Sequence, residues 1–337
     1  MNTIPTIFNE ETPSYTVVGG KERLAATGLS AVILNRPGRY SRRTFFQELE
    51  KIGFDYVISL ELTAERYDLE ELSGSFPFVR FILPKTQLSL GEKINLAACE
   101  LDSPLFFVLW NDLKLVAGGT ARRMAERLTV GHDDDDERKT SLYKRLCTVP
   151  VIQNSRFETL PTLTAPVITK KNISSFLFAP NGEEVSSLYP FDGIGIYDRE
   201  RFIRMGGFDS TLKSMHWQLM DFGFRSHLWG EDIRVSQQIK LSYDGSSSSE
   251  DNTAEGSYRR FYFKNLAPVF KDDYARLPLR SFLAFLFLSR ANPFAAWEDF
   301  SESRRWVNTN KLRWHCDARS LVSRWEGIHM GESLPPP

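Results

Sequence analysis

Residues 29–62 read LSAVILNRPGRYSRRTFFQELEKIGFDYVISLEL, and their pattern decides the fold. Leu29 to Leu34 is an unbroken apolar run of strand length, stopped by Asn35-Arg36-Pro37-Gly38, a turn composition. Ser41 is an N-cap candidate. Phe45, Leu49 and Ile52 recur behind it at helical spacing, and Gly53 supplies the stop. Phe54 to Leu60 predicts a second strand. The alternation continues outward with a short helix over 66–73 and a strand from Phe78 to Leu83. A helix from Leu90 to Leu101 follows, presenting Ile94, Ala97, Ala98 and Leu101, and then LFFVLW, Leu105 to Trp110, too apolar for anything but an interior strand. Such alternation predicts an α/β fold with a mostly parallel sheet flanked by helices. Ligands bind such sheets beyond the carboxyl ends of the strands. Asn35-Arg36, Glu61 and Asn111-Asp112 stand there.

The rest of the chain bounds this reading. With 337 residues and 42% hydrophobic content, a substantial core is within reach. Lys+Arg 42 against Asp+Glu 43 gives a net charge of -1, which leaves no basic footprint for nucleic acid. Cys99, Cys147 and Cys316 are an odd set without metal-ligand spacing, so a reducing, cytoplasmic setting is the simplest expectation. The first 20 residues lack the basic and apolar regions of a signal peptide. The longest apolar run, Phe282 to Leu288, is too short to span a bilayer. A peripheral membrane contact there stays open. The expected organisation is a leader over 1–28, the main domain over 29–270 and a C-terminal helical extension over 271–337. A helix is expected over 115–128, although Gly118-Gly119 weakens it, and short strands over 147–190. His132 to Glu137 is an acidic run that reads as a solvated loop, and 246–255 is a polar loop.

A second informative stretch begins at Phe191-Asp192-Gly193 and passes through Gly206-Gly207-Phe208-Asp209 to a helix over 216–229. The helical period sets Trp217, Asp221, Phe224 and Leu228 on one stripe. A carboxylate in an apolar stripe is either paired or functional, because an unpaired buried charge is expensive. An ion pair with Arg225 at i+4 is one reading. A general base with a pKa raised by desolvation is the other.

GIYDRERFIRMGGFDSTL (195–212) and HWQLMDFGFRSHLWG (216–230) resemble the acceptor-side half of family 2-type glycosyltransferases of the GT-A fold. The resemblance spans roughly 29–265 and is strongest at 90–112 and 191–230. It implies an acceptor side formed by Gly206, Gly207, Asp209 and Trp217, with Asp221 deprotonating the acceptor hydroxyl. Only the second acid of the family's Glu-Asp pair is kept, as Met220-Asp221. It also implies a nucleotide-sugar donor site drawing on Asn35, Arg36, Glu61, Asn95, Asn111 and Asp112. The family's Asp-x-Asp reads Trp110-Asn111-Asp112 here, which leaves Asp112 as the one carboxylate for a Mn or Mg ion. Metal-independent catalysis with charge from Arg36, Arg122 or Arg123, or a decayed site, are the rivals. The implied function is an inverting hexosyltransferase-like enzyme. It would move sugar from a nucleotide-diphosphate donor to a glycan, lipid-linked or protein acceptor, in cell-envelope or surface glycan synthesis. The alternatives are a catalytically decayed binding or scaffold protein, and a sugar-1-phosphate nucleotidyltransferase, for which Asn35-Arg36-Pro37-Gly38 is a poor loop. His216 and His227 flank the Asp221 helix.

Overall fold

The computed structural model describes residues 12–37, 41–62, 69–129, 145–168, 173–182, 185–243, 256–289 and 292–325. The acidic run at 132–137 and the polar loop at 246–255 lie outside them. In chain order the strands are β1 (Tyr15–Gly19), β2 (Leu29–Leu34), β3 (Val57–Leu60), β4 (Val79–Pro84), β5 (Leu105–Trp110), β6 (Leu113–Ala117), β7 (Arg145–Asn154), β8 (Leu163–Ile168), β9 (Ile173–Phe178), β10 (Gly195–Asp198), β11 (Asp232–Tyr243), β12 (Val269–Lys271) and β13 (Tyr274–Arg276). The helices are α1 (Arg42–Ile52), α2 (Leu69–Ser75), α3 (Leu90–Glu100), α4 (Ala121–Thr129), α5 (Arg199–Arg204), α6 (Met215–Leu228), α7 (Gly256–Phe261), α8 (Leu279–Ser289), α9 (Pro293–Asn310) and α10 (Ala318–Ser323).

Nine strands form one sheet in the order β1-β4-β3-β2-β5-β10-β7-β11-β6. β2 runs parallel to β3 and β5, β3 to β4, and β7 to β11. β10 is antiparallel to both β5 and β7, so those two point the same way. Six of the nine strands therefore share a direction and end at one edge. β2, β3 and β5 are buried along their whole length, as runs without polar alternation require.

Local signals explain the elements around that edge. The Ser41 side chain caps α1, and Gly53 closes it at φ 77°, a left-handed position. Ser89 and Glu92 form a reciprocal capping box that starts α3. β1, inside the expected leader, covers β4 antiparallel and hides what would be an open edge. The expected helix over 115–128 is corrected. Leu113–Ala117 instead adds to the sheet as β6 beside β11, and Gly118 and Gly119, both at positive φ, turn the chain before α4 begins. The β12–β13 hairpin straddles the expected boundary at 270. α6 is buried on every side, not along one stripe, with Trp217, Asp221, Phe224 and Leu228 all interior.

Candidate functional site

The carboxyl ends of β2, β3 and β5 converge through side-chain hydrogen bonds. Asn35 donates to Ser59 Oγ (3.1 Å) and to the Leu60 carbonyl (2.8 Å), which ties the ends of β2 and β3 together. Its Oδ1 accepts from Asn111 Nδ2 (2.9 Å), and Asn111 Oδ1 accepts from the Arg36 backbone N–H (3.1 Å). Glu61 accepts from Ser59 Oγ (2.7 Å) and pairs with Arg42 from α1. Glu61 Oε2 is buried with no hydrogen-bond partner among the described residues, as is Asp112 Oδ1. Asn35, Arg36, Glu61, Asn111 and Asp112 thus share one edge. An orphaned carboxylate oxygen there is costly unless a ligand meets it.

Arg36 is the hub of this edge. It donates to Asp112 Oδ2 (2.8 Å) and to Asp192 Oδ2 (2.5 Å). Its guanidinium lies over the Trp110 ring at 4.2 Å from the centroid, and the Trp110 indole N–H donates to the Asp192 carbonyl (3.0 Å). Trp110, where the first acid of an Asp-x-Asp would stand, is the platform on which Arg36 rests. Beside Arg36 lies a cavity of about 140 Å³, lined mainly by apolar side chains such as Leu113, Ile152, Leu160 and Phe191, with Asp192 and Tyr243 at its polar end. Burial pushes the Tyr243 phenol up, against the opposing pull of Arg36. Asp192 and Arg42 received no role from the sequence. The signal for Asp192 was its Asp-Gly turn: it sits at φ 51°, where a non-glycine residue is strained.

The second cluster is interior. Asp221 is 0% exposed. Its Oδ2 accepts from Arg225 Nε (3.2 Å) and Nη2 (3.1 Å), and its Oδ1 from Asn265 Nδ2 (2.7 Å), with Lys264 Nζ at 2.9 Å. Lys264 also pairs with Asp209 (2.7 Å), which accepts from Thr211 Oγ1 (2.6 Å) and has Arg260 at 3.5 Å. Burial works to raise the Asp209 carboxyl, but Lys264 and Arg260 outweigh it and hold the group well below the usual carboxylate range. Arg225 further donates to the carbonyls of Met205 and Gly207 and so clamps the Gly206-Gly207 turn from below. Asn95 pins the same turn from α3, donating to the Phe208 carbonyl (2.8 Å) and accepting from its N–H (2.9 Å). Gly207 has φ 59°, and a Cβ there would drive into Asn95 Oδ1. Asn95 thus braces the turn directly and Asp221 through Arg225, while Asp209 holds Lys264 beside them; the resemblance implies donor and acceptor roles for the same three residues. Trp217 packs against Tyr258 (4.9 Å) and Phe261 (5.3 Å) as a wall of this interior.

The remaining sequence candidates are dispersed. Arg122 and Arg123 are exposed on α4. His227 is bonded to the Ser187 carbonyl (2.9 Å), and burial lowers its pKa. His216 stacks edge-on against Trp217 (4.7 Å). The three cysteines are free. Among the described residues there is no cluster of three His, Cys, Asp or Glu side chains able to hold a metal, and no helix long and apolar enough to cross a membrane.

This fold has a structural counterpart. The crystal structure of GalNAc-T7 with UDP, GalNAc and Mn2+ superposes at a TM-score of 0.56 and 10% identity, covering 88% of this chain and 57% of that one. The fold is GT-A. S. aureus TarS is also similar (TM-score 0.44, 12% identity, 89% of this chain and 46% of that one). So is the mannosyltransferase PcManGT from Pyrobaculum calidifontis in complex with GDP-Man and Mn2+ (TM-score 0.42, 8% identity, 86% and 72%). This chain spans little more than half of the GalNAc-T7 chain. No protein-family model and no curated protein sequence matches it.

Proposed function

We propose that this chain is a glycosyltransferase that binds a nucleotide-diphosphate sugar across the carboxyl ends of β2, β3 and β5. The observation that carries the reading is the convergence of Asn35, Arg36, Glu61, Asn111 and Asp112 at that edge of a GT-A sheet, with one oxygen each of Glu61 and Asp112 unmet among the described residues. Glu61 Oε2 receives a donor N–H or O–H of the nucleoside. Arg36 faces the diphosphate, where negative charge grows as the sugar leaves. The acceptor hydroxyl enters beside the apolar cavity, and Asp192 takes its proton. A single carboxylate acting on one face suits direct displacement with inversion.

The resemblance implies a Mn or Mg ion on Asp112. The residues do not fit it as they stand: one oxygen each of Asp112 and Asp192 is engaged by Arg36, and a cation between them would meet the guanidinium. In this reading Asp221 is a scaffold residue, because its burial and its pairing with Arg225 and Lys264 keep an acceptor from it.

That same burial favours one second reading, a GT-A protein that binds a nucleotide sugar without transferring it. A thermal-shift panel of UDP-, GDP-, CMP- and dTDP-sugars, followed by donor turnover with acceptor mixtures, separates the two. Selective stabilisation by one nucleotide with turnover supports the transferase, and stabilisation without turnover supports the binding protein. No stabilisation by any nucleotide sinks both. Glycan, lipid-linked and protein acceptors belong to the same panel.

A further inference from the structure

We propose that the outer face of α8 and the start of α9 form a docking surface for an anionic lipid bilayer. The inner face of α8 is occupied. Phe285 packs on Tyr262 (5.2 Å) and Phe263 (4.9 Å), and Phe282 on Trp297 and Phe300 (both 5.2 Å). The outer face is apolar as well. Leu279, Leu283 and Phe287 stand at i, i+4 and i+8 on one stripe, and Phe287 is 87% exposed. Phe294, also 87% exposed, and the half-exposed Trp297 extend the ridge onto α9. Half of the ten exposed large hydrophobic residues among the described residues fall in this one stretch; the other five are scattered. Concentration of this kind marks an interaction surface, where isolated exposed residues would not.

Charge lies beside the ridge. A groove of about 710 Å³ runs along α9 next to Trp297 and carries Arg276, Arg304 and Arg305. Arg280 is exposed in the first turn of α8. None of these four guanidinium groups makes an ion pair or hydrogen bond among the described residues. The acids of α9 are engaged elsewhere, Asp299 with Arg259 and Glu302 with Arg260, which leaves exposed Glu298 as the countercharge on that helix. A nucleic acid would meet the arginines and leave the ridge in water. A protein partner would need an apolar groove ringed by acids. A bilayer with anionic headgroups offers both at once, acyl chain for Phe287, Phe294 and Leu283 and phosphate for the arginines. This surface is independent of the transferase reading.

Flotation of the full chain with vesicles tests it, using phosphatidylcholine alone and equimolar phosphatidylcholine and phosphatidylglycerol. Co-migration is expected with the anionic vesicles, to fall as salt rises, and to be weak with neutral ones. Phe287→Ser with Phe294→Ser should lower partitioning by about tenfold or more. Arg304→Gln with Arg305→Gln should lower it by about fivefold per residue on anionic vesicles only. All four side chains are exposed, so unchanged melting temperatures confirm that the variants fold. Absence of co-migration with either vesicle, equal binding to both, or variants that bind like the wild type overturns the proposal. So does a dimer seen by size exclusion that Phe287→Ser with Phe294→Ser abolishes while vesicles stay unbound.

Discussion

Replacing Asp221 distinguishes a scaffold carboxylate from an acceptor base. The side chain is fully buried and accepts from Arg225 through Oδ2 and from Asn265 and Lys264 through Oδ1. Asp221→Asn keeps the volume but turns one oxygen into a donor, which must face either the Arg225 guanidinium or the Asn265 amide and Lys264 ammonium. Two cations are then left short of a counterion in the interior. Lys264 retains Asp209, and Arg225 retains only carbonyl oxygens. Breaking a buried pair in this way costs about 3–5 kcal/mol, and for a chain of this size that is a melting shift of roughly 4–7 °C. Differential scanning calorimetry reads the shift, and titration calorimetry with the nucleotide sugar reads binding. Adding Lys264→Met to Asp221→Asn should deepen the loss, because it takes from buried Asp209 the ammonium that pairs with it at 2.7 Å. A variant that melts like the wild type yet loses transfer by about 10²–10⁴-fold, the range for a general base, would refute the scaffold role and return Asp221 to the chemistry.

Four further outcomes follow from the geometry. Gly207→Ala should destabilise by more than the roughly 1 kcal/mol of a left-handed position, because its Cβ meets Asn95; a melting curve matching the wild type would contradict the clash. Asp209 is held below its ordinary pKa, so its contribution to stability is complete above about pH 4, its unfolded value, and declines as pH falls below that. His227 is held neutral by burial, so stability should begin to fall as pH drops below about 6.5, and His227→Gln should flatten that part of the denaturant-midpoint profile. Nucleotide-sugar stabilisation of the wild type should survive EDTA, because Arg36 stands between Asp112 and Asp192; stabilisation that appears only with Mn would show that the guanidinium yields to a metal.

The central strands were legible because β2, β3 and β5 are buried on both faces. Such strands read as continuous apolar runs, and Leu29 to Leu34 and Leu105 to Trp110 match β2 and β5 at both ends. Ser41 and Gly53 announced the two ends of α1 through cap chemistry that is local in sequence. The helix expected over 115–128 failed because the alternation in Leu113 to Ala117 is short, and its pairing with β11 joins residues more than 120 positions apart. At the site, strand-end logic brought Asn35, Glu61 and Asp112 to one edge. It could not find Asp192, which reaches Arg36 from 156 residues away. Nor could it separate the two readings of Asp221. Periodicity set Asp221 among apolar neighbours, but Lys264 and Asn265, which decide its surroundings, come from a later helical segment, Tyr262–Leu266, with no sequence signal linking them.

The central claim is that the edge at Arg36, Glu61 and Asp112 binds a nucleotide-diphosphate sugar, and titration calorimetry on wild type and point variants tests it most directly. One nucleotide class should bind the wild type with measurable heat. Arg36→Ala should weaken that affinity by about 10–100-fold through loss of a charge-assisted phosphate contact, and Glu61→Gln should alter it while Arg122→Ala on the α4 surface leaves it unchanged. Binding that is indifferent to Arg36, Glu61 and Asp112 substitutions, or absent for every nucleotide sugar in the panel, would contradict the account.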